Sequence, residues 1–505
     1  MKNSIYNLFI ISILFLTSCS NESGAINEEP VIIEGTSISE FSFLKLNNPS
    51  LLNDINLTVE GEKILGRLVD NVNIKNLVAT FEHDGLEVVI NNIKQQSGTT
   101  FNNFTDLVTY TVKTTDGRTE DYIVDLAKFT GLPIIYLKTD NGLAIDSKEE
   151  YRTGFVTIDG GRNYTNLVET SMKIKGRGNS TWYVHPKKPF QLKFSNKVQM
   201  LDMPEDKTWI LLAEYSDKTM IRNTISFEMG YLSKLDWTPK SAFSEVYINN
   251  QYNGTYNISQ KVEEGSNRVA LGNTGYLLEI DQLERLDPED VYFYTTDFLI
   301  NIKEPSLDYN SAEYNYAKDL LNEFEGVLKS NQFKDPNIGY AKYIDIDSFI
   351  DWYLISEITK NQDSKSFSSI FLNVITGEKI KMGPLWDFDL AFGNVNYSEC
   401  EYPEGFWVKD HKWYARLFQD PAFVAKVKTR FLYFRENQNF ILDKMDSYAN
   451  YLKWAQQEND DKWNTIGVYV WPNSVVLGSY EAEVTHLKNW YTTRMNWLNT
   501  AYNGL

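Results

Sequence analysis

Apolar positions between residues 345 and 394 change their spacing twice, and the changes mark three elements. Ile350, Leu354 and Ile358 recur at i, i+4 and i+8, and Trp352 and Ile355 widen the stripe. This predicts a helix, with Asp345 or Asp347 as its cap. Asn361-Gln362-Asp363-Ser364-Lys365 is a polar loop. Residues 369–374 then read as a strand and Thr376-Gly377 as a turn. Ile380, Met382 and Pro384 form an alternating return strand that runs through Leu385-Trp386 into Asp387-Phe388-Asp389. A hairpin lays its two ends side by side, so Asp363 and Asp387 are expected to be close in space.

Elsewhere the pattern divides the chain. Phe41, Phe43 and Leu44 open a series of short strands that continues at 78–81, 86–90 and 107–112. Asp116-Gly117 makes a turn before 122–124. Turn signals at that spacing predict an all-β, immunoglobulin-like sandwich over residues 36–128. It shows no catalytic constellation, which suits spacing or adhesion.

A larger unit, residues 130–505, begins at Leu132-Pro133-Ile134. In it, strand 172–175 leads into Gly176-Arg177-Gly178-Asn179-Ser180-Thr181-Trp182, and residues 187–194 alternate as the next strand. Residues 211–235 read as a loop and a helix, with Arg222 in a surface ion pair. A hairpin (243–248 and 252–259), a buried strand (275–281) and a helix (309–328) follow. Amphipathic helices are expected at 413–417, 423–434, 440–454 and 480–502. Strands and helices segregated in this way predict an α+β chain.

The start of the chain is different. Lys2 precedes a nearly continuous apolar run, residues 8–16, too short to span a bilayer. Leu16-Thr17-Ser18-Cys19 resembles a bacterial lipobox. Residues 1–19 therefore read as a lipoprotein signal peptide with Cys19 as the lipidated residue, and 20–35 as a flexible acidic tether.

Composition narrows the function. Of 505 residues, 42% are hydrophobic and 23% charged, which indicates a folded chain. The net charge of −19 excludes a nucleic-acid surface, and membrane contact is expected only through the lipid. With Cys19 lipidated, Cys400 has no cysteine partner. The four histidines lie outside the Asp motifs, which excludes histidine triads and Cys/His zinc sites.

The chemistry sits in the aspartates. Asp387 and Asp389 interrupt an apolar, aromatic run from Leu385 to Phe392, and acids there are costly unless they hold a cation or are fully hydrogen-bonded. A glycine loop between strands can bring backbone close to an anion. Lys175, Arg177, Lys188 and Lys193 put positive charge around it. Helix, Asp loop, hairpin and second Asp follow the order of the catalytic and metal segments of a protein kinase.

These motifs together resemble the spore-coat protein CotH kinase family. They are Lys-Gly-Arg-Gly-Asn-Ser-Thr-Trp with Lys-Lys-Pro-Phe, Asp217 with Ile-Arg-Asn (221–223), Tyr-Asn-Gly-Thr-Tyr (252–256), Asn361-Gln362-Asp363 and Trp-Asp-Phe-Asp (386–389). The resemblance implies an atypical protein-kinase-like, two-lobed domain that transfers phosphate from ATP to a protein hydroxyl with Mg²⁺ or Mn²⁺. It implies a catalytic role for Asp363 and a metal role for Asp387 and Asp389. Gly176, Arg177, Gly178, Asn179 and Ser180 would meet phosphates, with Lys193 as the phosphate lysine and Lys188 its competitor. Glu279 would fall near the lobe connection and adenine. The family is also found in cell-surface lipoproteins, so the expected location is the cell envelope, at the outer membrane or cell surface, with an unidentified protein substrate or surface partner. Ser368 departs from the pattern, because many members carry there an Asn that ligates a second metal. That leaves as alternatives a catalytically weak or inactive kinase-fold binding or adhesion lipoprotein, and a glycoside hydrolase using Asp363 and Asp387.

Overall fold

A computed structural model describes residues 34–69 and 72–505. The signal peptide, Cys19 and most of the 20–35 tether lie outside the described residues. Two compact units emerge: the described residues up to Leu65 with Asn73–Asp125, and Gly66–Val72 with Leu126–Leu505.

The smaller unit is all-β. One sheet sets Ile38–Phe43 between Ile55–Asn56 and Thr80–His83. A six-stranded sheet runs, in spatial order, Thr58–Glu60, Lys63–Leu68, Thr119–Lys128, Val108–Lys113, Glu87–Ile90 and Ile93–Lys94. Val108, Tyr110 and Val112 point inward on alternate positions. The Tyr110 ring meets Phe41 of the other sheet edge-on at 5.1 Å, so the two sheets pack face to face.

The larger unit begins with a closed barrel. Its strands are β1 (Ile134–Thr139), β2 (Arg152–Asp159), β3 (Leu167–Gly176), β4 (Phe190–Val198), β5 (Asp206–Leu212), β6 (Ser241–Ile248) and β7 (Gln251–Gln260), in the order β1-β2-β3-β4-β5-β7-β6. A parallel pairing of β1 with β6 closes it. Ile135, Leu137, Val156, Ile158, Ile174, Leu192, Trp209, Val246 and Ile258 fill the interior. Between β3 and β4 the glycine loop runs into a short helix, α1 (Ser180–Val184). Between β5 and β6 lies α2 (Arg222–Tyr231), buried on nearly every side.

A second sheet follows, ordered β9 (Val291–Tyr294), β10 (Leu299–Glu304), β8 (Gly275–Asp281), β11 (Ile370–Ile375) and β12 (Lys381–Met382). Around it pack α3 (Ala312–Lys329), α4 (Ile346–Thr359), α5 (Lys412–Leu417), α6 (Pro421–Glu436), α7 (Gln438–Tyr451) and α9 (Tyr480–Asn503), while α8 (Ala455–Trp463) lies against β7 of the barrel. Helix α4 starts where its cap predicts: the Asp345 carboxylate accepts from Ser348 N at 2.8 Å. It stops at Lys360, whose φ of 48° turns the chain left-handed into the Asn361–Lys365 segment. The β11–β12 hairpin then returns to Asp387, with Gly377 at φ 85° in its turn. Among the described residues no helix is long and apolar enough to cross a membrane.

Candidate functional site

Three backbone segments converge on the aspartates. The first is the turn after α4. Asp363 lies in a 3₁₀ turn, Gln362–Lys365. The neighbouring Lys360 is 1% exposed, and its ammonium donates to the carbonyls of Glu399, Tyr402 (2.8 Å) and Glu404, fixing the turn against that loop. The second is the stretch after β12, where Asp387 adopts φ 67°. The carbonyl of Asp387 accepts from Asn361 Nδ2 at 3.1 Å, and the next N–H, of Phe388, donates to Asn223 Oδ1 at 2.7 Å. The third is the glycine loop. Arg177 lies with its guanidinium 5.4 Å from the centre of the Trp386 ring.

Electrostatics tie the groups together. Burial pushes the Asp363 carboxyl up to about 7, and the Asp387 charge adds to it, while Arg285 pulls the other way. Burial also holds the Asp389 carboxyl well above the usual range, helped by Asp387, Glu214, Asp363 and Asp217. Desolvation lowers Arg177, and Asp387 and Asp389 oppose that. Asp363, Asp387, Asp389 and Arg177 are therefore one cluster of interacting charges.

The support beneath them is buried and polar. Asp217 is fully buried in an ion pair with Arg222, where the sequence suggested a surface pair; the difference arises because α2 is packed on all sides. Arg222 Nε reaches on to the Ala391 carbonyl at 3.1 Å. Asn394 Nδ2 donates to the Asp389 carbonyl at 2.8 Å, and Asn473 donates in turn to Asn394 Oδ1 at 2.8 Å. Ser369, at φ 60°, points its hydroxyl to Asp387 Oδ2 at 3.3 Å and its N–H to Glu279 Oε1 at 2.9 Å.

Other expected residues fall elsewhere. Lys193 is exposed on the outer face of the barrel, opposite Lys173, because Phe190, Leu192 and Phe194 take the inward positions of β4. Lys188 turns back to the carbonyls of Trp182 and His185 (2.6 Å) at the end of α1. The Lys188 ammonium is thus taken up by main-chain carbonyls, and Lys193 lies on the outside of the barrel. Lys187 is the fully buried member of the pair; it donates to the Thr255 carbonyl and to Asn459 Oδ1 at 2.8 Å. Burial lowers it to about 7, against the attraction of Glu245 and Glu214. Asn179 and Ser180 are exposed at the start of α1. Gly178 has φ 83°, and a side chain on Gly176 would collide with the Trp182 ring.

Glu279 lies on β8, central to the second sheet rather than at a connection to the barrel, and Asp281 two residues on helps burial raise it to about 7. Ser368 is buried, and its hydroxyl accepts from Arg285, so it is the adjacent Ser369 that reaches Asp387. Arg285, Ser369, Glu214 and Asn473 escaped the sequence reading: each stands alone in sequence, with only tertiary contacts to mark it.

Two cavities, of about 440 Å³ beside Asp351 and Arg430 and about 340 Å³ beside Tyr252 and Trp463, are lined by none of Asp363, Asp387 and Asp389. Among the described residues no three of His, Cys, Asp or Glu come together so as to hold a metal ion by themselves. Two neighbouring carboxylates suit a different arrangement. Mg²⁺ is commonly held by one or two carboxylates and completed by substrate phosphates and water. The raised Asp389 carboxyl is the group such a cation would relieve.

Comparison with known proteins gives a clear family match and remote structural similarity. The family model described as CotH kinase protein matches residues 174–498, from the end of β3 into α9. No curated protein matches. Among solved structures the chain is similar to a candidate glycoside hydrolase from Bacteroides thetaiotaomicron, at 11% identity over 58% of this chain and 88% of the other, with a TM-score of 0.16. A TM-score that low carries no weight for the glycosidase alternative. The glycine loop, Asn223, Asp363, Asp387 and Asp389 all fall inside the matched segment, and the chain belongs to the CotH kinase protein family.

Proposed function

We propose that the chain transfers the γ-phosphoryl group of ATP to a hydroxyl of a protein, with Mg²⁺ or Mn²⁺ bound. The observation that carries this reading is the cluster itself: Asp363, Asp387 and Asp389 interact with one another and with Arg177 of the glycine loop, inside the segment matched to the kinase family. Asp363 accepts the hydroxyl proton of the acceptor as its oxygen bonds to the phosphorus, and ADP leaves. Its carboxyl is raised to about 7 without the cation, mainly by burial, which makes it a stronger base than an exposed aspartate. Asp387 and Asp389 would hold the cation, and Arg177 would meet phosphate oxygens. The cation, when bound, neutralises and orients the phosphate oxygens. Catalysis is then mostly positioning and charge neutralisation.

The proposal extends to a two-lobed, kinase-like arrangement of the larger unit and an immunoglobulin-like smaller one. It also places the protein at the cell envelope, anchored through Cys19, on the strength of Leu16-Thr17-Ser18-Cys19. The test is transfer of labelled γ-phosphate to envelope proteins by the wild type and by Asp363→Asn. Labelling that is lost in the variant supports the reading, and equal labelling by both contradicts it.

One observation favours a second reading, a binding protein on the same fold. The Ser368 hydroxyl, at the position where the resemblance leads one to expect a second metal ligand, is taken up by Arg285. That reading predicts no transfer to any acceptor, with partner binding unaffected by Asp363→Asn.

A further inference from the structure

The peptide group between Asp387 and Phe388 is gripped at both ends by asparagine side chains. Its carbonyl accepts from Asn361 Nδ2 at 3.1 Å and its N–H donates to Asn223 Oδ1 at 2.7 Å. Asn361 comes from the turn after α4 and Asn223 from the first turn of α2, and each is 3% exposed. The clamp acts on a strained point, because Asp387 is held at φ 67°, where a non-glycine residue needs its surroundings to keep it.

Asn223 is itself directed. Its Nδ2 donates to both oxygens of Glu214, at 3.2 and 3.1 Å. Glu214 is 8% exposed and also accepts from Asn257 Nδ2 at 3.3 Å, whose amide is held by Thr224 Oγ1 at 3.1 Å. An amide side chain has one donor end and one acceptor end. The Phe388 N–H can only donate, so the oxygen of Asn223 must face it, and the Glu214 carboxyl takes the opposite end. We infer that Glu214 and Asn223 are positioning residues for Asp387. Glu214 sets the direction of the Asn223 amide, and Asn223 with Asn361 holds the peptide that presents the Asp387 carboxyl. The inference rests on the proposed role of Asp387 in holding a cation with ATP.

The test uses the full chain with Asn223→Ala, Asn361→Ala, Glu214→Leu and Glu214→Gln. Two quantities are read: affinity for Mn²⁺·ATP, and hydrogen-exchange protection of the segment that contains Phe388. Removing an outer partner that orients a metal ligand costs about 10–100-fold in affinity. Asn223→Ala and Glu214→Leu are expected to weaken Mn²⁺·ATP by about tenfold or more on that scale and to speed exchange at Phe388. Glu214→Gln keeps one acceptor oxygen for Asn223 and is expected to restore most of both. If Asn223→Ala does not fold, Asn361→Ala releases the other end of the same peptide and is read in its place. Folded variants with wild-type affinity and wild-type exchange would overturn the inference, because a purely structural network moves stability alone. If the wild type itself binds no Mn²⁺·ATP, the proposed function fails, and exchange at Phe388 still decides whether the clamp exists: faster exchange in Asn223→Ala supports it, and unchanged exchange overturns it.

Discussion

Arg177 stacks its guanidinium over Trp386, the residue immediately before Asp387, at 5.4 Å from the ring centre. Through this contact the glycine loop of the barrel reaches the segment that ends in two aspartates. Arg177 is also attracted to Asp387 and Asp389. Arg177→Ala is expected to weaken ATP binding about tenfold or more, since charge-assisted bonds to phosphate are the strong ones. Arg177→Lys keeps the charge but loses the planar stacking group, and should recover only part of the affinity. Calorimetric titration with Mn²⁺·ATP checks both.

Asp363 predicts a pH dependence. Its carboxyl is raised to about 7 in the folded chain, against about 3.9 for an unfolded aspartate. Between those values the folded state holds a proton that the unfolded state has released. The stability from this group is therefore fully present at low pH and is lost as pH rises toward about 7. Without cation, Asp363→Asn should flatten that part of the stability profile, read by denaturant melts across the window. In the wild type, phosphoryl transfer should rise with pH as Asp363 ionises, at a lower pH than in the cation-free melts, because a cation on Asp387 offsets the charge that helps raise Asp363.

The Asp217–Arg222 pair predicts a stability effect. Both groups are buried, at 0% and 3% side-chain exposure. Removing one partner leaves the other charge uncompensated, so Asp217→Ala should cost about 3–5 kcal/mol. Urea unfolding measures it. The double change Asp217→Leu with Arg222→Met should be milder than the single one, because no buried charge is left alone.

Ser369 rather than Ser368 touches Asp387. Ser369→Ala should weaken Mn²⁺·ATP several-fold, as the loss of one hydrogen bond to a charged group predicts. Ser368→Asn, which restores the residue common in the family, should bring no gain, because position 368 faces Arg285. Manganese titrations of the two variants distinguish them.

Much of this architecture is legible in the sequence, and the failures have physical causes. Helix α4, the β11–β12 hairpin, α2 and the β6–β7 hairpin follow from local periodicity and turn residues, which act over a few positions. The barrel's closure does not, because the parallel pairing of Ile134–Leu137 with Glu245–Ile248 joins segments more than a hundred residues apart. Helix α8 carries no apolar stripe; it is fixed by Ala455 and by the buried amide of Asn459, which serves Lys187 and Thr255. Lys193 falls on the outer face by the alternation of its own strand, where Phe190, Leu192 and Phe194 claim the inner face. The adjacency of Asp363 and Asp387 was readable from the hairpin between them. Glu214 and Arg285 were not, since nothing local distinguishes an acid or a base that a distant segment will use.

The proposed function stands on a cation–nucleotide site at Asp387. Its most direct test is the thermal unfolding of the wild type and of Asp387→Asn with ATP, each with and without Mn²⁺ or Mg²⁺. A ligand that binds only the folded state raises the midpoint in proportion to the free energy of binding. The expected result is a rise that requires the metal and disappears in Asp387→Asn, whose midpoint without ligand stays close to that of the wild type. No rise with either metal, or an equal rise in the variant, would contradict it.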